Sequence, residues 1–107
     1  MYDLAGEWKK FTGLPFVFAV WAGHEDSGLG RFCADFEASR DFGLAHINDI
    51  ALEYAPRLGL APEALTVYLK ENIDYSLDEE NRKGLELFYR LAHEIGLIPV
   101  PKEIQFA

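Results

Sequence analysis

Apolar positions along the chain follow two kinds of pattern. From Leu14 to Ala22 the stretch LPFVFAVWA carries no charge. In an extended chain it shows Leu14, Phe16, Phe18 and Val20 on one face and Val17, Ala19 and Trp21 on the other. A strand apolar on both faces belongs inside a sheet with layers above and below. Pro15 stands at its start, where a missing N–H is tolerated. Nearly everything else repeats with helical spacing. The pattern predicts a mostly α protein with one or two strands.

Five helices are expected. The first runs from Leu4 to Phe11, with Asp3 as its cap and Thr12-Gly13 as its end. The polar loop AGHEDSG follows the strand. A second helix over Gly28 to Arg40 puts Leu29, Phe32, Cys33 and Phe36 on one stripe, with Gly43 as a stop. The third, Ala45 to Leu58, aligns Ile47, Ile50, Ala51, Tyr54 and Leu58, and Pro56 is expected to end or kink it. The fourth opens on Pro62 and buries Leu65, Tyr68 and Leu69 before NIDYS breaks the pattern. The fifth starts with Ser76 and Glu79 as a capping box, with Asp78, Glu79 and Glu80 at the positive end of the helix dipole. Its inner stripe is Leu85, Phe88, Leu91, Ala92 and Ile95, and Gly96 stops it. The tail reads as a short edge strand over Glu103 to Phe106.

Composition narrows the picture. The 107 residues suit one domain, and half of them are hydrophobic. Asp and Glu outnumber Lys and Arg 18 to 10, for a net charge of −8. That balance argues against a nucleic acid or an anionic membrane as partner, since phosphate contacts need clustered Lys or Arg. Cys33 is the single cysteine, so no disulfide forms within the chain. The first residues, MYDLAGEWKK, lack the apolar region of a signal peptide. The longest apolar run is far short of the roughly 20 residues of a membrane span. A soluble, cytoplasmic protein is expected.

Candidate chemistry is sparse. There is no P-loop, no G-x-G-x-x-G and no C-x-x-C. His24, His46 and His93 have no ligand spacing among themselves. His24, Glu25 and Asp26 could hold a divalent cation, but such a cluster is more often a solvated loop and helix cap. Neither a metal nor a cofactor is expected. Cys33 reads as a small core residue rather than a nucleophile, and His46 as a cap rather than a catalyst. Phe16, Phe18 and Trp21 are the candidate substrate-binding residues. Strand ends line ligand clefts, and Trp21 is the last aromatic before the Gly-bearing loop.

Three segments, taken in order, resemble a known family. They are DLAGEWKKFTGLPFVFAVWA (Asp3 to Ala22), SRDFGLAHINDIALEYAPRLGL (Ser39 to Leu60) and NIDYSLDEENRKGLELFYRLAHEIGLIP (Asn72 to Pro99). The most specific part is W-x-x-x-T-G-L-P-F-V-F-A-x-W: Trp8, Thr12 through Ala19, and Trp21. Together they are similar to the C-terminal part of the chorismate dehydratase family, which serves the futalosine route to menaquinone.

The resemblance implies a type II periplasmic-binding-protein-like fold, two α/β lobes closing on a small anion. Residues 1–13 would end the second lobe, 14–22 would be the returning strand, and 23–107 a helical part packed on the first lobe. It implies a lyase that removes water from chorismate to give 3-[(1-carboxyvinyl)oxy]benzoate. Family members are much longer, and the Asn and Ser credited with catalysis lie in their N-terminal part. No position here matches them, so the catalytic residues are unknown and the chain is expected to be inactive alone. Chorismate would bind only with the other lobe. The alternative is a non-catalytic helical interaction module derived from that fold. Either way, the edges of LPFVFAVWA need partners. A homodimer or larger oligomer, with strands paired or swapped, is expected.

Overall fold

The computed structural model describes residues 2–100 and 103–106. The chain divides into two compact units. One comprises the residues up to Ala22 together with those from Ser76 onward, and the other is Gly23–Tyr75.

The first unit is built from two helices and the segment between Gly13 and Ala22. Helix α1 spans Leu4–Thr12. The Asp3 carboxylate accepts the Ala5 N–H at 3.2 Å, occupying one of the donors a helix start leaves unpaired. Gly13, at φ 74°, closes the helix by donating to the Lys9 carbonyl at 2.8 Å. Thr12 fixes the exit. Its hydroxyl donates to the Trp8 carbonyl at 2.8 Å and accepts the Leu14 N–H at 3.1 Å.

Helix α5 spans Glu79–Glu94. Its cap is Asp78, whose carboxylate accepts the Asn81 N–H at 2.8 Å. This corrects the expected box of Ser76 and Glu79. Glu79 is the first helical residue rather than the third, and Ser76 contributes its carbonyl oxygen to the Asn81 side-chain amide at 2.8 Å. Asn81, Gly84, Leu85 and Ala92 are buried. Ile95, placed on the inner stripe by spacing, is 73% exposed because the helix stops there and the chain turns through Gly96.

The two expected strands do not form. Neither residues 14–22 nor Glu103–Phe106 are strand, and no described residue belongs to one. A strand is a ladder of hydrogen bonds with a neighbour. From Phe16 to Val20 the backbone makes no hydrogen bond with the described chain. The mostly α reading stands; the strand content does not.

The second unit is a set of short helices. Single 3₁₀ turns at Glu25–Ser27 and Leu29–Phe32 precede α2, Cys33–Ala45. The helix therefore starts later than expected and passes through Gly43. It ends at His46, whose ring stacks on Phe42 at 4.1 Å and whose Nδ1 lies 2.7 Å from the Phe42 carbonyl oxygen. A carbonyl oxygen only accepts, so Nδ1 carries the proton. His46 thus serves one of the unpaired carbonyls at the helix end.

Helix α3 is Ile47–Leu58, and α4 is Pro62–Val67, continuing as one wider turn over Tyr68–Asn72. Pro56 lies inside α3, which continues two residues beyond it and closes at Gly59, φ 68°. The core is a seam between α3 and α4: Ala51 and Ala55 are fully buried, and Leu65 and Leu69 pack on them. Small residues let two helix backbones approach closely, which is why the buried face is Ile47, Ala51 and Ala55. The expected Tyr54 and Leu58 point outward, 44% and 60% exposed, and Tyr68 is also exposed. Arg57 covers the Tyr54 ring at 5.1 Å and approaches Glu53 at 3.8 Å.

Candidate functional site

The first unit holds an open hollow of about 350 Å³, walled by residues 16–20 on one side and by Leu85, Phe88 and Tyr89 on the other. Helical spacing explains the α5 side. Residues 85, 88 and 89 are three and four apart and share one face. The other side is held by the sequence just before it. The Trp8 indole Nε1–H donates to the Pro15 carbonyl oxygen at 3.2 Å.

Aromatic rings form the floor. Phe16 meets Trp8 edge to face at 5.7 Å and Phe88 at 5.3 Å, and Trp8 and Phe88 meet at 6.0 Å. All three contacts fall in the range where the edge of one ring is attracted to the face of the next. Phe18, two residues after Phe16, brings its ring within 5.0 Å of it. They share a side of the chain, as residues two apart do in extended backbone.

Phe16 is half-buried within the ring cluster, and Phe18 stands 78% exposed at the wall of the hollow. Trp21 is 81% exposed and does not line the hollow. The structure thus brings Phe16 and Phe18 to one site and leaves Trp21 outside it. Trp8, Leu85, Phe88 and Tyr89 join that site. Leu85 and Phe88 were readable as one helical stripe, but spacing alone assigns such a stripe to the core.

The chemistry of the lining is plain. Tyr89 brings a phenol, and the other side chains are hydrocarbon. Among the described residues, no carboxylate, imidazole, ammonium or guanidinium lines the hollow, so they can seat a flat apolar surface but offer no acid–base pair or counter-charge for a carboxylate. Among the described residues, no three His, Cys, Asp or Glu side chains gather as a metal site. His24, Glu25 and Asp26 form the start of a 3₁₀ turn, with the Ser27 hydroxyl donating to the His24 carbonyl at 2.6 Å. Cys33 is a half-buried thiol. No helix of the described residues is long and apolar enough to cross a membrane.

The family described as menaquinone biosynthesis matches residues 1–94. Chorismate dehydratase of Thermus thermophilus is 39% identical over 97 residues, covering 89% of this chain and 34% of the relative. The chain therefore spans about a third of the length of that curated relative. No solved structure matches it.

Proposed function

The chain belongs to the chorismate dehydratase family of menaquinone biosynthesis, and from that premise we propose that it supplies the apolar wall of a site that removes water from chorismate. The reaction takes a ring proton to a base, returns a proton to the departing hydroxyl and leaves an aromatic ring, the benzoate of 3-[(1-carboxyvinyl)oxy]benzoate. A flat ring is what Phe16, Phe18 and Phe88 are built to face. The base, the acid and the cations for two carboxylates would come from groups beyond these 107 residues. The observation that carries this reading is the hollow itself: aromatic on both walls, with no charged side chain among the described residues that line it.

In this reading the chain has the last part of a two-lobed, periplasmic-binding-protein-like fold. Residues 14–22, which form no strand among the described residues, would join a ladder only beside a partner that those residues do not supply. The backbone of Phe16 to Val20, which makes no hydrogen bond with the described chain, and the exposed Phe18 support that assignment. The same edge in isolation favours pairing with a second copy.

The test is turnover and binding together. The purified chain is expected to bind 3-methoxybenzoate weakly at the hollow and to leave chorismate unchanged. Dehydration of chorismate by the chain alone would overturn the division of labour proposed here.

A further inference from the structure

We propose that Gly84 is a positioning residue that sets where the aromatic wall stands, by giving the Pro15 carbonyl a seat directly on the backbone of α5. This rests on the hollow being a ligand wall. A Cβ built on Gly84 runs into the carbonyl oxygen of Pro15. That oxygen is main chain and cannot swing aside as a side-chain tip would. Glycine is disfavoured against alanine inside a helix, and Gly84 lies in the interior of a sixteen-residue one. Local helix preference therefore does not account for it, and close approach does.

Two elements grip the same two consecutive residues. Trp8 donates its indole N–H to Pro15 and lays its ring against Phe16. Helix α5 seats Pro15 at Gly84 and, one turn later, packs Phe88 against Phe16. Residues 15 and 16 are each held from both sides, so the segment can neither slide along α5 nor lift from it without breaking two contacts. Phe16 passes the setting to Phe18, and the width of the hollow between Phe18 and Leu85 follows. A methyl at position 84 pushes Pro15 outward, draws it off the Trp8 indole and carries Phe16 away from Phe88.

The experiment uses the full 107-residue chain with Gly84→Ala and Trp8→Phe. Far-UV circular dichroism reports helix content, NMR reports exchange of the Trp8 indole N–H, and titration uses 3-methoxybenzoate as the probe. With helix content retained, Gly84→Ala is expected to speed indole N–H exchange. It should also weaken probe binding by roughly tenfold, the order by which one methylene changes fit in an apolar pocket. Native exchange protection of the indole in Gly84→Ala would overturn the proposal. If Gly84→Ala does not fold, the wild type and Trp8→Phe decide. The close approach places the Gly84 Hα protons beside the Leu14 side chain, so a nuclear Overhauser contact between them is expected in both chains; its absence from either would overturn the proposal. A wild-type chain that binds no probe would sink the ligand-wall reading, while the indole exchange and the Gly84–Leu14 contact would still decide the seat.

Discussion

The indole N–H of Trp8 donates to the carbonyl oxygen of Pro15, seven residues on, at 3.2 Å. This bond folds the segment after α1 back over the helix that precedes it. Thr12 and Gly13 make the turn, and Trp8 holds its far end. Replacing Trp8 by Phe keeps an aromatic ring for Phe16 and Phe88 but removes the donor. One part-buried hydrogen bond contributes about 1 kcal/mol net, and Trp8→Phe is expected to lower unfolding free energy by that order in urea titration. Trp8→Ala also removes the ring from its two edge-to-face contacts, so its loss should be clearly larger in the same titration.

Two helical glycines should respond to alanine with opposite signs. Gly43 lies within α2, and a Cβ there meets nothing within 4 Å. Gly43→Ala should stabilise the chain by about 0.5–1 kcal/mol, the ordinary gain of alanine over glycine in a helix. Gly84→Ala gains the same helical preference but collides with Pro15, and its net effect should be destabilising. Thermal unfolding of the two variants side by side checks the pair. A Gly84→Ala chain that melts higher than wild type would contradict the close approach.

Asp78→Ala should cost about 1 kcal/mol, as loss of a helix cap does, because Asp78 accepts the Asn81 N–H. Glu79→Ala should cost less, since its carboxylate does not close a capping box. Urea titration of the two variants reads the difference directly. The contrast also shows what the sequence could and could not say. Asp3 and Thr12-Gly13 place the ends of α1 to within one residue, the helix running through Thr12 to close at Gly13. Before α5, Ser76 and Asp78 both qualify, and local pattern alone does not choose between them.

The same distinction runs through the packing and the site. Periodicity found the face of α3 but favoured its large residues, whereas the close α3–α4 seam selected Ala51 and Ala55. Phe16 and Phe18 were legible as a two-residue repeat of aromatics. Gly84 was not, because a glycine within a helical pattern reads as a weakness until the segment lying on it is known. The strand at 14–22 was legible as a pattern and not as a structure: alternation belongs to one segment, a ladder to two.

Lys83 gives a pH-dependent prediction whose sign is fixed. Its ammonium pKa is raised, first by the hydrogen bond to Glu80 at 3.2 Å and then by the charge of Glu79, 3.5 Å away. A lysine whose pKa is higher folded than unfolded stabilises the protein below its unfolded pKa. That contribution fades as pH rises through the folded value. The group is solvent-exposed, so the effect should be small and weakened by salt. Comparing thermal unfolding of wild type and Lys83→Met, the gap is expected to narrow in strongly alkaline buffer and to persist at neutral pH. A gap that widens with rising pH would contradict the assignment.

Phe18 carries the prediction about assembly. It is 78% exposed beside backbone that makes no hydrogen bond with the described chain between residues 16 and 20. Pairing that edge with a second copy would bury the ring and give the ladder its partner. An antiparallel pair centred on Phe18 sets Phe16 against Val20 of the other copy and keeps both apolar faces in register. Each copy carries a net charge of −8 while residues 14–22 carry none. Like charge therefore opposes encounter without opposing the contact itself, and added salt should strengthen association. Sedimentation at micromolar concentration is expected to show a dimer that grows with ionic strength, and Phe18→Asp should return it to monomer. A monodisperse wild-type monomer at every salt concentration would show that this edge does not recruit a second copy.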